Sequence, residues 1–358
     1  MRCLLFAAAF PLLAAPPPAS FVEHTIANDL RGGYQVVVAD LNHDGKPDLI
    51  ALASGLHELI WFENPGWQRH VLATGQNRMI NCAVIGNEIV LASEFSNEAK
   101  NSIGLVTVLR PGSDPREPWT ATEIDRLPTS HRLRVADIFG NGKPVVVNAA
   151  LTAPDASGPD YRGQTPLVYY APGEWKRRVI STENTGVVHG IFVTEDHCIL
   201  TASFTGIHKF CIAKDGKVTR TELAKGDPAP WPKSGSSDVT IGHLGKTHFM
   251  AAIEPWHGNQ VVVYGEHGRE VIDDSLLDGH TIQTGDFDGD GNDEIVAGFR
   301  GQPRSVYVYR YDGKRWVRSD LDKGGMGAAA CAIADLNGDR RPDVACIDST
   351  RLKWYENR

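Results

Sequence analysis

The sequence predicts an all-β fold: a seven-bladed β-propeller whose ring is closed by its N-terminal strand. Three observations predict it. An acidic nine-residue loop recurs along the chain, its copies stand at a regular interval, and the last repeat lacks a strand that is found at the other terminus. The loop reads Asp40-Leu-Asn42-His-Asp44-Gly45-Lys-Pro-Asp48, then Asp286-Phe-Asp288-Gly-Asp290-Gly291-Asn-Asp-Glu294, then Asp335-Leu-Asn337-Gly-Asp339-Arg340-Arg-Pro-Asp343. A decayed copy starts at Asp137 and keeps Asn141, Gly142 and Pro144. The starts at 40, 137, 286 and 335 are 97, 149 and 49 residues apart. These are two, three and one periods of about 49, a length that marks propeller blades rather than helical solenoids. Six periods from first loop to last imply seven repeats.

Each repeat continues into a second hairpin, an alternating aromatic and β-branched run, a turn and another run. Leu59–Leu72, Val168–Trp175, Val261–Tyr264 and Val306–Gly313 are examples. The last copy, Lys353-Trp354-Tyr355-Glu356-Asn357-Arg358, stops at its turn. Phe21–Ile26 matches the strand at Gln68–Leu72 and supplies the missing edge, which closure would protect. Blades are expected at 30–76, 77–128, 129–183, 184–234, 235–278, 279–323, and 324–358 with 20–28. The second, fourth and fifth keep the strands without the acidic loop. The Pro-rich stretch 227–232 and the insert 154–166 read as surface loops, so residues 20–358 form one domain.

Residues 1–19 have the form of an export signal: Arg2, an apolar run from Leu4 to Leu13, then Ala14-Ala15 and prolines, with cleavage between about 14 and 20. The run is too short to span a bilayer, so a secreted or periplasmic protein without membrane insertion is expected. Five cysteines remain after cleavage. Cys331/Cys346 and Cys198/Cys211 sit at mirrored hairpin positions, compatible with bridges in an oxidising compartment and equally with buried thiols. The net charge of −8 belongs to the acidic loops; the rest of the chain is close to balanced. No basic stripe interleaved with aromatics suggests a nucleic acid.

In the loops, oxygen ligands at positions 1, 3 and 5 of a tight turn converge, position 6 makes the turn, and a carboxylate at position 9 closes the cage. Hard oxygen donors in this number suit Ca²⁺. The ligand sets are Asp40, Asn42, Asp44, Asp48; Asp286, Asp288, Asp290, Glu294; and Asp335, Asn337, Asp339, Asp343, for two to three structural ions. Closure at position 9 between strands argues against an EF-hand. Arg340 replaces the turn glycine in the last loop, which puts that site's affinity in question.

The acidic loop joins the first strand of a blade to the second, so the start of the first strand and the end of the second share the opposite face. Six residues before each loop start, with the decayed blades aligned by eye, stand Tyr34, Met79, His131, His189, Ser236, His280 and Ala329. The second-strand ends add His57, Glu94, Glu254, His257 and Arg300. Three histidines at one equivalent position favour a ligand site over a set of unrelated structural histidines. They also suit Zn²⁺ or another divalent ion, if residues of separate blades come close enough.

The loops resemble the FG-GAP or VCBS repeats of integrin α-chain heads and of bacterial secreted propellers, over essentially the whole mature chain. A narrower resemblance lies in Glu254-Pro-Trp256-His257-Gly258, Gly279-His280 and Gly298-Phe-Arg300, which look like the propeller part of aldos-2-ulose dehydratases. That resemblance implies metal-assisted loss of water from a keto-sugar. The cupin part of those enzymes has no counterpart here, which leaves a later isomerisation in question. It implies His280, His189, His257, Glu254 and Arg300 as catalytic or metal-binding groups, with Tyr34, His131, Glu94 and Trp256 contacting the sugar. The competing class is a non-catalytic propeller that binds carbohydrate or a protein partner.

Overall fold

The computed structural model describes residues 17–358 and forms seven four-stranded antiparallel sheets. The expected export signal lies, up to residue 16, outside the described residues. Blade 1 uses Gly33–Ala39, Asp48–Ala53, Glu58–Glu63 and Gln68–Thr74. The first strands of the next six blades are Asn81–Ile85, Ser130–Ala136, Val188–Val193, Asp238–Leu244, Gly279–Gly285 and Ala330–Ala334. First strands of successive blades pack on one another around the ring, so they line the central channel.

Burial explains the sequence pattern. The second strands Asp48–Ala53, Val145–Ala150, Glu294–Phe299 and Asp343–Ile347 are buried at every residue, because neighbouring blades cover both faces. They read as continuous apolar runs for that reason. The outer strands Thr120–Arg126 and Val218–Ala224 are mostly exposed and polar. The ring closes as expected: Phe21–Ala27 pairs with Leu352–Asn357, with Phe21 opposite Asn357 and His24 opposite Trp354.

The acidic loops share one hydrogen-bond scheme. The first aspartate accepts the backbone N–H of positions 5 and 6, at 3.1 and 3.0 Å for Asp40 and for Asp286. Asp335 repeats the scheme with Asp339 and Arg340, and the decayed Asp137 with Asn141 and Gly142. Position 6 takes φ of 86° at Gly45, 85° at Gly291 and 72° at Arg340. Arg340 therefore keeps the turn in a left-handed conformation that a side chain rarely adopts. Position 9 works inward: buried Asp48 accepts from Leu41 and Asn64, and Asp343 from Leu336 and Asn357. The amides of those asparagines cross to the preceding blade, Asn64 donating to the Leu336 carbonyl and Asn357 to the Phe287 carbonyl, both at 2.7 Å. Each acidic loop is thus stapled to its neighbour.

Cys198–Cys211 and Cys331–Cys346 are disulfides, and Cys82 is a buried free thiol. Among the described residues no helix is long and apolar enough to cross a membrane.

Candidate active site

A backbone irregularity builds the site. In blade 1 the strand pairing jumps from Gly33 to Gln35, in blade 3 from Ser130 to Arg132, in blade 4 from Val188 to Gly190, and in blade 6 from Gly279 to Thr281. The residues passed over are Tyr34, His131, His189 and His280. A bulge re-aims its extra side chain, and here four bulges bring theirs together around the axis. Blades 2, 5 and 7 pair without a jump. Their equivalent positions, fixed by the N–H that each gives to the second strand, are Ile80, Ser237 and Ala329. The positions expected from the sequence, Met79 and Ser236, stand one residue early in both blades. Those blades carry no acidic loop to anchor the count.

The rings are in contact. His189 lies 5.0 Å from His131, 5.0 Å from His257 and 4.8 Å from His280 between centroids, and His257 lies 5.0 Å from His280. The Tyr34 hydroxyl is 3.0 Å from His131 Nε2 and 3.3 Å from His280 Nε2. His131, His189 and His280 are each 1% exposed. Blade 4 approaches blade 5 closely at this level: a Cβ on Gly190 would stand 2.3 Å from Asp238 Oδ1.

Hydrogen bonds set the ring orientations. His280 Nδ1 faces the Ala329 carbonyl at 2.5 Å. A carbonyl only accepts, so Nδ1 carries the proton and Nε2 presents its lone pair to the cluster. His189 Nδ1 lies 3.2 Å from Ser237 Oγ, which also accepts the His257 N–H, and His189 Nε2 has no partner. His257 Nδ1 stands between Arg300 Nη2 at 3.1 Å and Asp278 Oδ1 at 3.2 Å. Arg300 makes two further 2.9 Å bonds to Asp278.

Burial, then the Arg132 guanidinium, holds His131 and His189 well below the usual histidine range; in His280 the second cause is Arg300. Burial and then Arg300 lower His257 to about 4. All four are neutral near pH 7, the state in which imidazole accepts a proton or ligates a metal. Ligand nitrogens of His189, His257 and His280 lie within 4.8 Å of one another. These three converge from blades 4, 5 and 6, and His189 Nε2 has no other partner. The set fits a divalent ion with an open position.

Two expected residues stand elsewhere. Glu254 is not in the wall of the cluster: its fully buried carboxylate accepts from Ser236, Tyr264 and Arg269 inside blade 5. A carboxylate with both oxygens occupied has nothing to offer a ligand. Glu94 binds Asn77 and Arg78 within blade 2. Its neighbour Phe95 is the residue that meets His131, at 5.4 Å. Trp256 packs on His257 at 4.6 Å and against Tyr161, from the insert at 154–166, at 5.7 Å. That insert is therefore part of the site's wall as well as a surface loop.

Sequence reasoning missed Arg132, Ser237, Asp278, Phe95 and Tyr161. Adjacency to His131 could have flagged Arg132; the others had no positional signal. On the opposite face, carboxylate oxygens of Asp286, Asp288 and Glu294 converge within 4.8 Å, while Arg310 pairs with Asp288 and Asp290.

Fold and site together define a seven-bladed propeller with FG-GAP repeats and a polar, histidine-lined channel face. Comparison with known proteins agrees with the resemblance read from the loops. The model described as the aldos-2-ulose dehydratase β-propeller domain matches residues 103–267, an FG-GAP-like repeat matches 286–346, and an FG-GAP repeat matches 32–56. Aldos-2-ulose dehydratase of Phanerodontia chrysosporium is 24% identical over 326 residues, covering 76% of this chain and 35% of that protein. Integrin alpha pat-2 of Caenorhabditis briggsae is 36% identical over 86 residues, 22% of this chain and 7% of that one. The chain thus spans about a third or less of these curated relatives. In fold it is similar to a streptogramin B lyase, with TM-score 0.61, 11% identity and coverage of 94% and 98% of the two chains. The virginiamycin B lyase of Staphylococcus aureus is comparable, with TM-score 0.60, 12% identity and coverage of 94% and 99%.

Proposed function

We propose that this protein is an exported, calcium-stabilised sugar lyase or dehydratase, acting on a keto-sugar by proton abstraction and β-elimination. The observation that carries the reading is the buried cluster of four neutral imidazoles at the channel face, with His280 Nε2 presented by a carbonyl-fixed tautomer. The distant likeness to aldos-2-ulose dehydratase supports the substrate class.

In this reading His280 Nε2 takes the proton next to the ketone, leaving its electron pair as an enolate. Collapse of the enolate forms the C=C bond and breaks the β C–O bond. The protonated base gives that proton to the leaving hydroxyl, which departs as water, so no oxidant or reductant is needed. Low basicity makes His280 a weak base alone, and general bases work best with a pKa near the operating pH. Stabilisation of the enolate oxygen must therefore supply much of the driving force. His189, His257 and His280 would hold a divalent ion such as Zn²⁺, which when bound supplies Lewis-acid polarisation of the ketone. If all three hold the ion, His131 with Tyr34 is the pair left to move the proton. Arg300, held by Asp278, orients His257, and Trp256 with Tyr161 gives the sugar an apolar wall.

The acidic loops would hold Ca²⁺ as staples between strands, remote from this chemistry. Export is supported by the apolar N-terminal run and the two disulfides. Incubation with 1,5-anhydrofructose and related keto-sugars, followed by enone absorbance with and without chelator, tests the reading. Loss of absorbance in His280→Ala and His189→Ala is expected. A folded wild type that produces no enone and only binds sugar would instead support a binding propeller, a reading favoured by the integrin-like repeat.

A further inference from the structure

We propose that the ligand of the channel site is a sugar bearing a carboxylate, and that Arg132 binds that carboxylate. The inference rests on the sugar reading above and narrows its substrate class.

Arg132 follows His131 on the first strand of blade 3 and is 3% exposed. Its guanidinium carbon stands 5.6 Å from the centroid of the Tyr34 ring, the residue that bridges His131 and His280. The side chain therefore reaches the histidine cluster from its base. Among the described residues no carboxylate lies within ion-pair distance of it, Nη1 is buried without a hydrogen-bond partner, and the Tyr34 ring is its cation–π neighbour. Arg134, two residues on, at least donates to the Leu133 carbonyl at 2.8 Å.

A buried guanidinium cannot relieve its position by losing a proton. A deeply buried guanidinium whose charge has only an aromatic face beside it favours an anion from outside. The surrounding charges agree. Arg132, Arg134 and Arg300 act on the cluster, Asp278 opposes them at His257, and Arg132 and Arg134 also act on buried Asp238. Asp278 is occupied by Arg300, and Asp238 stays beyond ion-pair reach of Arg132.

Two further orphans, His131 Nδ1 and His189 Nε2, belong to the same cluster. A planar guanidinium matches a carboxylate through two parallel hydrogen bonds. A neutral keto-sugar would leave Arg132 unpaired until an enolate formed. A carboxylate carried elsewhere on the sugar pairs it from the start.

The test is calorimetric titration of the mature chain with D-glucuronate, D-galacturonate and D-mannuronate, each against its neutral methyl ester. At least one acid should bind roughly tenfold or more tightly than its ester, a difference of about 1.4 kcal/mol, and should weaken as salt rises. Arg132→Gln should abolish the preference. Arg132→Lys, which keeps the charge but not the fork, should retain part of it with unchanged folding. Equal binding of acid and ester, binding of none of the acids, or a preference that survives Arg132→Gln would overturn the inference. Failure of the lyase reading looks different. Arg132-dependent acid binding without any enone leaves this inference standing and removes that one. Undiminished turnover of a neutral keto-sugar by Arg132→Gln does the reverse.

Discussion

Glu254→Gln separates the two roles that sequence and structure give this residue. Glu254 has no exposed surface, and its Oε1 accepts from Ser236 at 2.8 Å and Tyr264 at 2.5 Å. Its Oε2 accepts from Arg269 Nε at 3.0 Å and Nη2 at 2.8 Å. Glutamine keeps the first pair through its carbonyl but turns an NH2 toward the guanidinium, so both charge-assisted bonds are lost. Such bonds contribute about 1.5–3 kcal/mol each. Arg269 is 29% exposed and also bonds Gln260, so water and Gln260 recover part of the loss. The expected destabilisation is about 2–4 kcal/mol, and Glu254→Ala, which also opens a cavity, should exceed it. Guanidinium unfolding followed by tryptophan fluorescence would show a lowered midpoint with unchanged slope. In the folded protein, sugar binding or turnover should stay within about threefold of wild type. A variant as stable as wild type whose turnover falls by 10²-fold, the loss typical of a general acid or base, would refute the structural reading.

Chelation should lower the melting temperature and added Ca²⁺ restore it, because an ion that prefers the native state stabilises it by mass action; Asp288→Ala should weaken this response while leaving sugar turnover intact, and an unchanged melt in EDTA would remove the calcium cages. Deleting residues 17–27 strips the outer strand from the last blade and exposes Trp354 and Tyr355; the truncated protein should aggregate or melt well below wild type, and an unaltered melt would show that closure contributes little. His208, buried and lowered to about 4 by burial and then Arg220, is neutral in the fold but protonates near 6.5 when unfolded. The unfolded state thus binds more protons between pH 6.5 and 4, and stability present above pH 6.5 falls with acid, by about 2 kcal/mol at pH 5 from this residue. His208→Gln should flatten that limb of a stability–pH curve, and a parallel curve would rule the contribution out.

The sequence by itself determined the blade count, the limits of each blade to within a few residues and the strand that closes the ring. Those rest on local chemistry repeated in register. The acidic turn, the apolar second strand and the split last repeat each leave a mark at a fixed spacing. The same spacing placed Tyr34, His131 and His280 on one face, and alignment of the strands added His189. Tertiary structure alone decided which polar residues meet. Whether a first strand bulges depends on its pairing with the second, and that one extra residue turns a side chain into the channel. In blades 2 and 5, where no acidic loop anchors the register, the expected position stands one residue early, at Met79 and Ser236 instead of Ile80 and Ser237. Glu254 and His257 are three residues apart, yet one is enclosed between the strands of blade 5 and the other faces the cluster. Cys198 and Cys211 fit a bridge or two thiols equally well until the hairpin set their separation. Arg132 is one more arginine in the sequence; only the ring of blades around it buries the side chain and leaves Nη1 without a hydrogen-bond partner.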